Sequence, residues 1–370
     1  MRIVLLRKVP EDAALVRRWN DLVLQMKVPQ VSYNCEWALA VQSAYQTSRK
    51  PLLFLGYDGD ELVGVACLAT DSQREQTVSF FTANTADYCE FLTHPQRRRE
   101  FVEAVFAELR KAGVGSLVLA NLPANSVTSA ALRGAAKKYG FHLYLRPAYL
   151  CPQVKLGNQD QRLELKTTVT RKRQLRRCLR ALEREGPVTC TYLHSWKEVE
   201  PVLPEFARAH VARFQSTHHV SFLSAPERRV FMEELARRFC ARGMMTLTVL
   251  AVEERPIAWS YGFQFQGIWL LYQTTFDTRC AENSPGYCLL GRILLEACNI
   301  KTLGLVDLGL GAESYKEWFA NSSSQTLYVT LTTSPLSHWR EIARYRLAAG
   351  VKRFPKLEGA IRSARSKLRL

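Results

Sequence analysis

The sequence predicts an α/β chain of two tandem modules, each a mixed, mainly antiparallel central sheet flanked by helices. Three observations carry this. The 370 residues exceed one ordinary core and suit two domains. Two stretches, 52–69 and 244–277, read as consecutive apolar strands joined by tight turns. The order hairpin, strand, helix, strand, helix, strand then occurs once in each half, which suggests an internal duplication without residue-level identity. The expected boundaries are 1–157, 158–334 and a basic helical tail over 335–370, with the junction in the polar stretch GNQDQ.

The first half begins with a strand over 3–6 and helices over 11–26 and 36–47. Asp58-Gly59 marks the first hairpin, because a primed turn needs positive φ and Gly supplies it without strain. A strand over 78–82, a helix over 97–113 and a strand over 116–122 follow. The helix over 129–140 stops on Gly140, a natural C-cap, and a strand runs from 141 to 150. The second half opens with a basic helix ending at Gly186, a strand over 188–193 and helices over 198–214 and 226–242. Its strand run turns at Glu254-Arg255 and Gln266-Gly267, and is followed by a helix over 286–300, a strand over 305–310, a short helix over 314–320 and a strand over 326–333.

Composition narrows the function. About half the residues are apolar and a quarter charged, the ordinary globular mixture. The N-terminus lacks the long apolar segment of a signal peptide, and no run of about twenty apolar residues suggests a span. A soluble, cytoplasmic protein is the expectation. Ten cysteines without CxxC spacing, and His218-His219 without ligand neighbours, argue against a metal or a disulfide framework. The net charge of +17, concentrated in 170–186 and 338–370, calls for an anionic partner. Zinc-finger, helix-turn-helix and RNA-recognition signatures are absent, so DNA is not expected.

The chemistry is expected in 269–320. Ser284-Pro285-Gly286 opens an amphipathic helix, with Ser a natural N-cap and Pro suited to the first turn. The free N–H groups and dipole of such a helix start make a candidate pyrophosphate cradle from Ser284, Gly286 and Tyr287, although Ser-Pro-Gly is also ordinary capping. Asp307, inside an apolar strand, needs a partner or a role. In Tyr315-Lys316-x-Trp318 the alternative to a catalytic role is an amphipathic turn that packs Trp318 and leaves Lys316 solvated. His210 and Arg213, three apart on one helical face beside Phe214, either reach an anionic or sugar substrate or form a solvated face.

Together these pieces resemble the CelD-like branch of the GNAT superfamily, acetyltransferases of cellulose and exopolysaccharide synthesis related to the FemAB aminoacyltransferases. The pieces are RALEREG, Arg213-Phe214, PIAWSYGF, Phe276-Asp277, Ser284-Pro285-Gly286, Asp307 and Tyr315-Lys316-Glu317-Trp318, in order over about 150 residues. The first half resembles the family more loosely, through its hairpins and Asp87-Tyr88. The Gln/Arg-x-x-Gly-x-Gly/Ala loop of ordinary GNAT enzymes is not present in that form.

The resemblance implies two GNAT-like modules and an N-acyltransferase with no permanently bound cofactor and no metal, using acyl-CoA as co-substrate. The acceptor it implies is an amine of an amino sugar or a polysaccharide or cell-envelope precursor. The backbone near 272–277 then polarises the acyl carbonyl. Asp277 is the candidate base or amine-orienting carboxylate, unless it only bonds the following loop. Lys316 is the candidate for the developing oxyanion, Tyr315 and Tyr272 are candidate proton donors, and His210, Arg213, Asp307 and Trp318 are candidates for holding substrate. Two alternatives remain open: a FemAB-like transferase drawing on aminoacyl-tRNA, and a non-catalytic GNAT-fold scaffold. The basic tail adds a possible peripheral contact with an anionic membrane at its inner face.

Overall fold

The computed structural model describes residues 1–71, 74–311 and 314–352; the expected tail over 353–370 lies outside the described residues. Strands β1 (Arg2–Leu6), β2 (Arg49–Asp58), β3 (Glu61–Asp71) and β4 (Arg74–Phe80) form an antiparallel meander, with α1 (Ala13–Leu24) and α2 (Cys35–Tyr45) inserted after β1. A short β5 (Leu92–Thr93), α3 (Arg98–Lys111), β6 (Ser116–Pro123), α4 (Thr128–Tyr139) and β7 (His142–Lys155) complete the first half.

The second half runs α5 (Gln159–Arg171), α6 (Arg173–Glu183), β8 (Val188–Leu193), α7 (Trp196–Val199), α8 (Leu203–Ser216) and α9 (Pro226–Cys240). Then come the meander β9 (Met245–Val252), β10 (Arg255–Phe265) and β11 (Ile268–Phe276), helix α10 (Pro285–Ala297) and strand β12 (Leu305–Asp307). Helix α11 (Ser314–Glu317), β13 (Ser322–Thr332) and α12 (Pro335–Lys352) close the described chain.

Local chemistry accounts for the element ends. Gly140 takes φ +72° and its N–H returns to the Ala136 carbonyl, as a left-handed C-cap should. Gln266 and Gly267 both have positive φ between the paired residues Phe265 and Ile268, the geometry of a primed hairpin turn. The other two hairpins turn one residue away from the expected pairs, at Gly59-Asp60 and Glu253-Glu254. The polar stretch expected as a junction opens a helix: Asn158 and Gln161 form a reciprocal capping box at the start of α5.

The strands form one sheet along the path β1-β2-β3-β4-β6-β13-β7-β12-β11-β10-β9-β8, mixed and mainly antiparallel, with the short β5 paired to β3 off this path. Among the described residues its parallel pairs are β4 with β6 and β11 with β12, at equivalent places in the two halves. Strand β13 crosses over. Although late in sequence, it lies between β6 and β7, and the end of β7 pairs with β12.

The core joins the halves as well. The Trp37 ring of α2 lies 5.2–6.2 Å from Phe231, Phe239, Phe263 and Tyr272 of the second half, and its indole N–H donates to Thr85 Oγ1 at 3.1 Å. A second cluster packs α5, α6 and α10 on the other face. Leu175 and Leu182 of the basic helix point into it, so its arginines face outward from an anchored stripe.

Candidate active site

These parallel strand pairs are short, and the candidate site lies where they separate. β4 pairs with β6 only over Thr77–Ser79, after which the chain leaves through 81–91. Asn121 of β6, at φ +61°, ties this loop: its amide donates to the carbonyls of Ala86 at 2.8 Å and Ala83 at 3.4 Å, and its own carbonyl accepts from Cys89 N–H at 2.9 Å. β11 pairs with β12 only over Ile268–Leu270, and the chain then turns at Gly309, φ +74°. The two openings face each other across a cavity of about 530 Å³, lined by 83–87 and Asn121 from one half and by 271–274 and 308–310 from the other.

Asp87 and Lys316 are buried side chains in this cavity. Among the described residues Asp87 Oδ2 has no hydrogen-bond partner. Burial, and then the charge of Asp307, push its carboxyl up to about 7, while Lys316, the Leu310 amide and Arg228 pull the other way. Lys316 Nζ donates to the Leu310 carbonyl at 3.1 Å. Gly309 lets the turn pass close by, since a Cβ there would sit 3.2 Å from Asp87 Oδ2 and 3.1 Å from the Leu271 carbonyl.

A second cavity of about 250 Å³ sits at the N-terminus of α10. Ser284, Gly286, Tyr287, Gln174, Phe276 and Trp318 line it, and Arg213, Thr274 and Tyr315 line both cavities. Arg213 Nη1 donates to the Thr274 carbonyl at 2.7 Å, with its guanidinium 4.9 Å from the Phe276 ring centre. A strand residue's N–H and C=O leave by the same edge, so the Thr274 N–H faces this opening too. Ser284 departs from the expected cap. It adopts φ +49°, its side chain makes no capping bond, and its carbonyl accepts from Tyr287 and Cys288 N–H. At Gly286 a Cβ would meet only Phe276, at 3.4 Å, so the position has room for a side chain.

The remaining sequence candidates divide between these cavities and their supports. Tyr272 lies in the larger cavity, where its hydroxyl donates to the Thr85 carbonyl and accepts from Arg228 Nη2 at 2.6 Å; burial raises its pKa. His210 also lines it, but is a buried residue and no part of a solvated face: it stacks on Phe214 at 4.6 Å and meets Ser221 Oγ at 2.8 Å. Burial pushes its imidazole down to about 4, so it is neutral near pH 7.

The Tyr315-Lys316-x-Trp318 turn reverses the simple amphipathic expectation, with Lys316 buried and Trp318 55% exposed at the rim, edge-on to Tyr287 at 5.5 Å. Asp307 is fully buried outside both cavity linings. It accepts from Tyr88 Oη at 2.7 Å, Gln153 Nε2 at 2.8 Å and Gly309 N–H at 2.9 Å, tying the two halves together. Asp277 is likewise absent from both linings. It caps the turn after β11, accepting from Arg279 N–H at 3.0 Å and pairing with the Arg279 guanidinium, which holds its carboxyl below the ordinary range.

The sequence pattern does not single out Arg228 or Asn121, covers Thr274 only within the backbone stretch 272–277, and offers Asp87 only through family likeness. No local signal marks them, because what matters is the burial that tertiary packing imposes. Among the described residues no group of three His, Cys, Asp or Glu could hold a metal ion.

Comparison with known proteins matches residues 170–317 to the Acetyltransferase (GNAT) domain family. The match lies wholly within the second half. No curated protein matches. Among solved structures, FemX is similar over 89% of this chain and 97% of its own, with TM-score 0.60 and 10% identity. A conserved protein of unknown function from Bacteroides thetaiotaomicron VPI-5482 gives TM-score 0.55 at 12% identity, over 89% of this chain and 100% of that one. L-PGS from Bacillus licheniformis gives 0.50 at 10% identity, over 84% and 95%. At such identities the likeness is one of fold.

Proposed function

We propose that this chain is an N-acyltransferase that moves an acyl group from acyl-CoA to an amine of an amino sugar or a cell-envelope precursor, at the cavity between its halves. The observation that carries this reading is the meeting of two cavities at Arg213, Thr274 and Tyr315, one opening on a helix N-terminus and the other holding a buried carboxylate with one oxygen unbonded among the described residues.

The smaller cavity suits the donor. A helix start attracts phosphate through its free N–H and dipole, and Gly286 lets the ligand approach the backbone. The acyl carbonyl then reaches the shared wall, where the Thr274 N–H polarises it and Lys316 stabilises the negative charge that develops on oxygen. Asp87, with a carboxyl titrating near 7, takes the proton from the attacking amine. The amine nitrogen bonds to the carbonyl carbon, the carbon–sulfur bond breaks, and Tyr315 protonates the departing thiolate. Asp277, engaged by Arg279, serves as a cap, and Asp307 as the clasp that raises Asp87.

A second reading has one observation in its favour. Helix α6, whose Gln174 lines the donor cavity, presents exposed Arg173, Arg176, Arg177 and Arg180, a surface that suits the phosphates of aminoacyl-tRNA as donor. Calorimetric titration with acetyl-CoA separates the two. Saturable binding, with thiol release on adding an amino sugar, supports the first reading. No heat with acetyl-CoA, together with binding of aminoacyl-tRNA that weakens steeply with salt, overturns it.

A further inference from the structure

Helix α12 has two faces of different character. One is seated on the first half: His338 meets His142 at 5.4 Å, Tyr345 meets Tyr144 at 6.2 Å, and Arg146 lies between the rings of Tyr345 and Tyr328 at 4.9 and 4.1 Å. The other presents Leu336, Trp339 and Leu347, which are 60, 65 and 72% exposed and follow helical spacing along one side. Arg340, Arg344 and Arg346 are exposed among them. Over 335–370 the sequence has ten Lys or Arg against two Glu.

We propose that this outer face of α12 docks on an anionic lipid bilayer, with Trp339, Leu336 and Leu347 entering the interface and the arginines meeting lipid phosphates. Charge complementarity sets the sign of the partner, and the apolar side chains decide its kind. A nucleic acid would engage the arginines but leave two leucines and a tryptophan in water, whereas a bilayer interface takes both sets at once. Among the described residues no helix is long and apolar enough to cross a membrane, so the contact is peripheral. The inner face gives it a consequence. Tyr328, held to α12 through Arg146, lines the cavity between the halves, so docking brings that cavity near the lipid surface.

The test is co-sedimentation of the full chain, at low salt, with vesicles of equal parts phosphatidylglycerol and phosphatidylcholine against vesicles of phosphatidylcholine alone. Partitioning should require the anionic lipid. Arg340→Glu/Arg344→Glu should weaken it by roughly ten-fold or more, given the typical contribution of each basic residue near such a surface. Trp339→Ala/Leu347→Ala should weaken it several-fold with the charge intact. These side chains are exposed, and unchanged circular dichroism and melting would confirm folded variants. Equal partitioning of both variants and wild type would overturn the proposal. So would preferential binding of RNA lost in the same variants, or a dimer in sedimentation equilibrium that dissociates with Trp339→Ala/Leu347→Ala.

Discussion

Replacing Asp87 by Asn should make the protein more stable at alkaline pH and nearly inactive. Burial and Asp307 move this carboxyl from an ordinary 3.8 to about 7. The folded chain therefore keeps a proton that the unfolded chain has released, and stability falls as pH rises from about 4 to about 7, then levels. At ~1.4 kcal/mol per pH unit the whole interval amounts to about 4 kcal/mol. Asn carries no charge to desolvate and retains an oxygen for the Leu310 amide, so the variant should lack this slope.

His210 contributes with the opposite sign. Its imidazole is pushed down from 6.5 to about 4, so its contribution is present above 6.5 and lost as pH falls toward 4. Both proteins carry His210, and it cancels in their difference. Urea unfolding at pH 5 and pH 8 measures that difference, and the variant's stability relative to wild type should rise by about 2 to 3 kcal/mol between the two. Turnover should drop roughly 100-fold and lose the acid limb centred near pH 7. A stability difference that is the same at both pH values would refute the raised carboxyl. Turnover within a few-fold of wild type would remove Asp87 as the base.

The remaining predictions concern the neighbours of Asp87 and the fold. Lys316→Met should lower turnover roughly 100-fold and move the acid limb of the profile upward, because the ammonium pulls the Asp87 carboxyl down; Asp277→Asn should leave turnover near wild type in the same assay and cost a little thermal stability through its cap. Gly286→Asp should weaken acetyl-CoA binding in calorimetry while the protein stays folded, since a Cβ fits beside Phe276 but the carboxylate opposes pyrophosphate. A chain ending before β13 should lose cooperative unfolding in the first half as well as the second, because β6 and β7 would lose the strand between them; an unchanged N-terminal melting transition would contradict this.

Local pattern was enough to read the strands and helices. Gly140 and Gln266-Gly267 mark their own turns by backbone sterics, and apolar spacing fixes the buried faces of α6 and α10. The order of elements along the chain was legible for the same reason, as was the grouping of Gly286, Tyr315 and Lys316, which line the two cavities. The position of β13 was not, because a strand's sequence records which face it buries and not which edge it joins.

The two carboxylates read as functional show the same division. Asp277 and Asp307 both invite a role from sequence, yet Arg279 neutralises one locally, and Tyr88 and Gln153 from across the molecule, with the nearby Gly309 N–H, satisfy the other. Asp87 sits in an unremarkable loop. Its proposed role rests on the way Asn121 ties that loop into the opening beside β11, where one carboxylate oxygen is buried without a donor among the described residues. The sequence alone determined an α/β chain with a mixed, mainly antiparallel sheet, because strand alternation, capping and turn sterics act over a few residues. The placement of the cavity between the halves is a matter of tertiary structure, and so is the ground for proposing Asp87 over Asp277 as the base, because desolvation and charge proximity depend on which distant segments share a space.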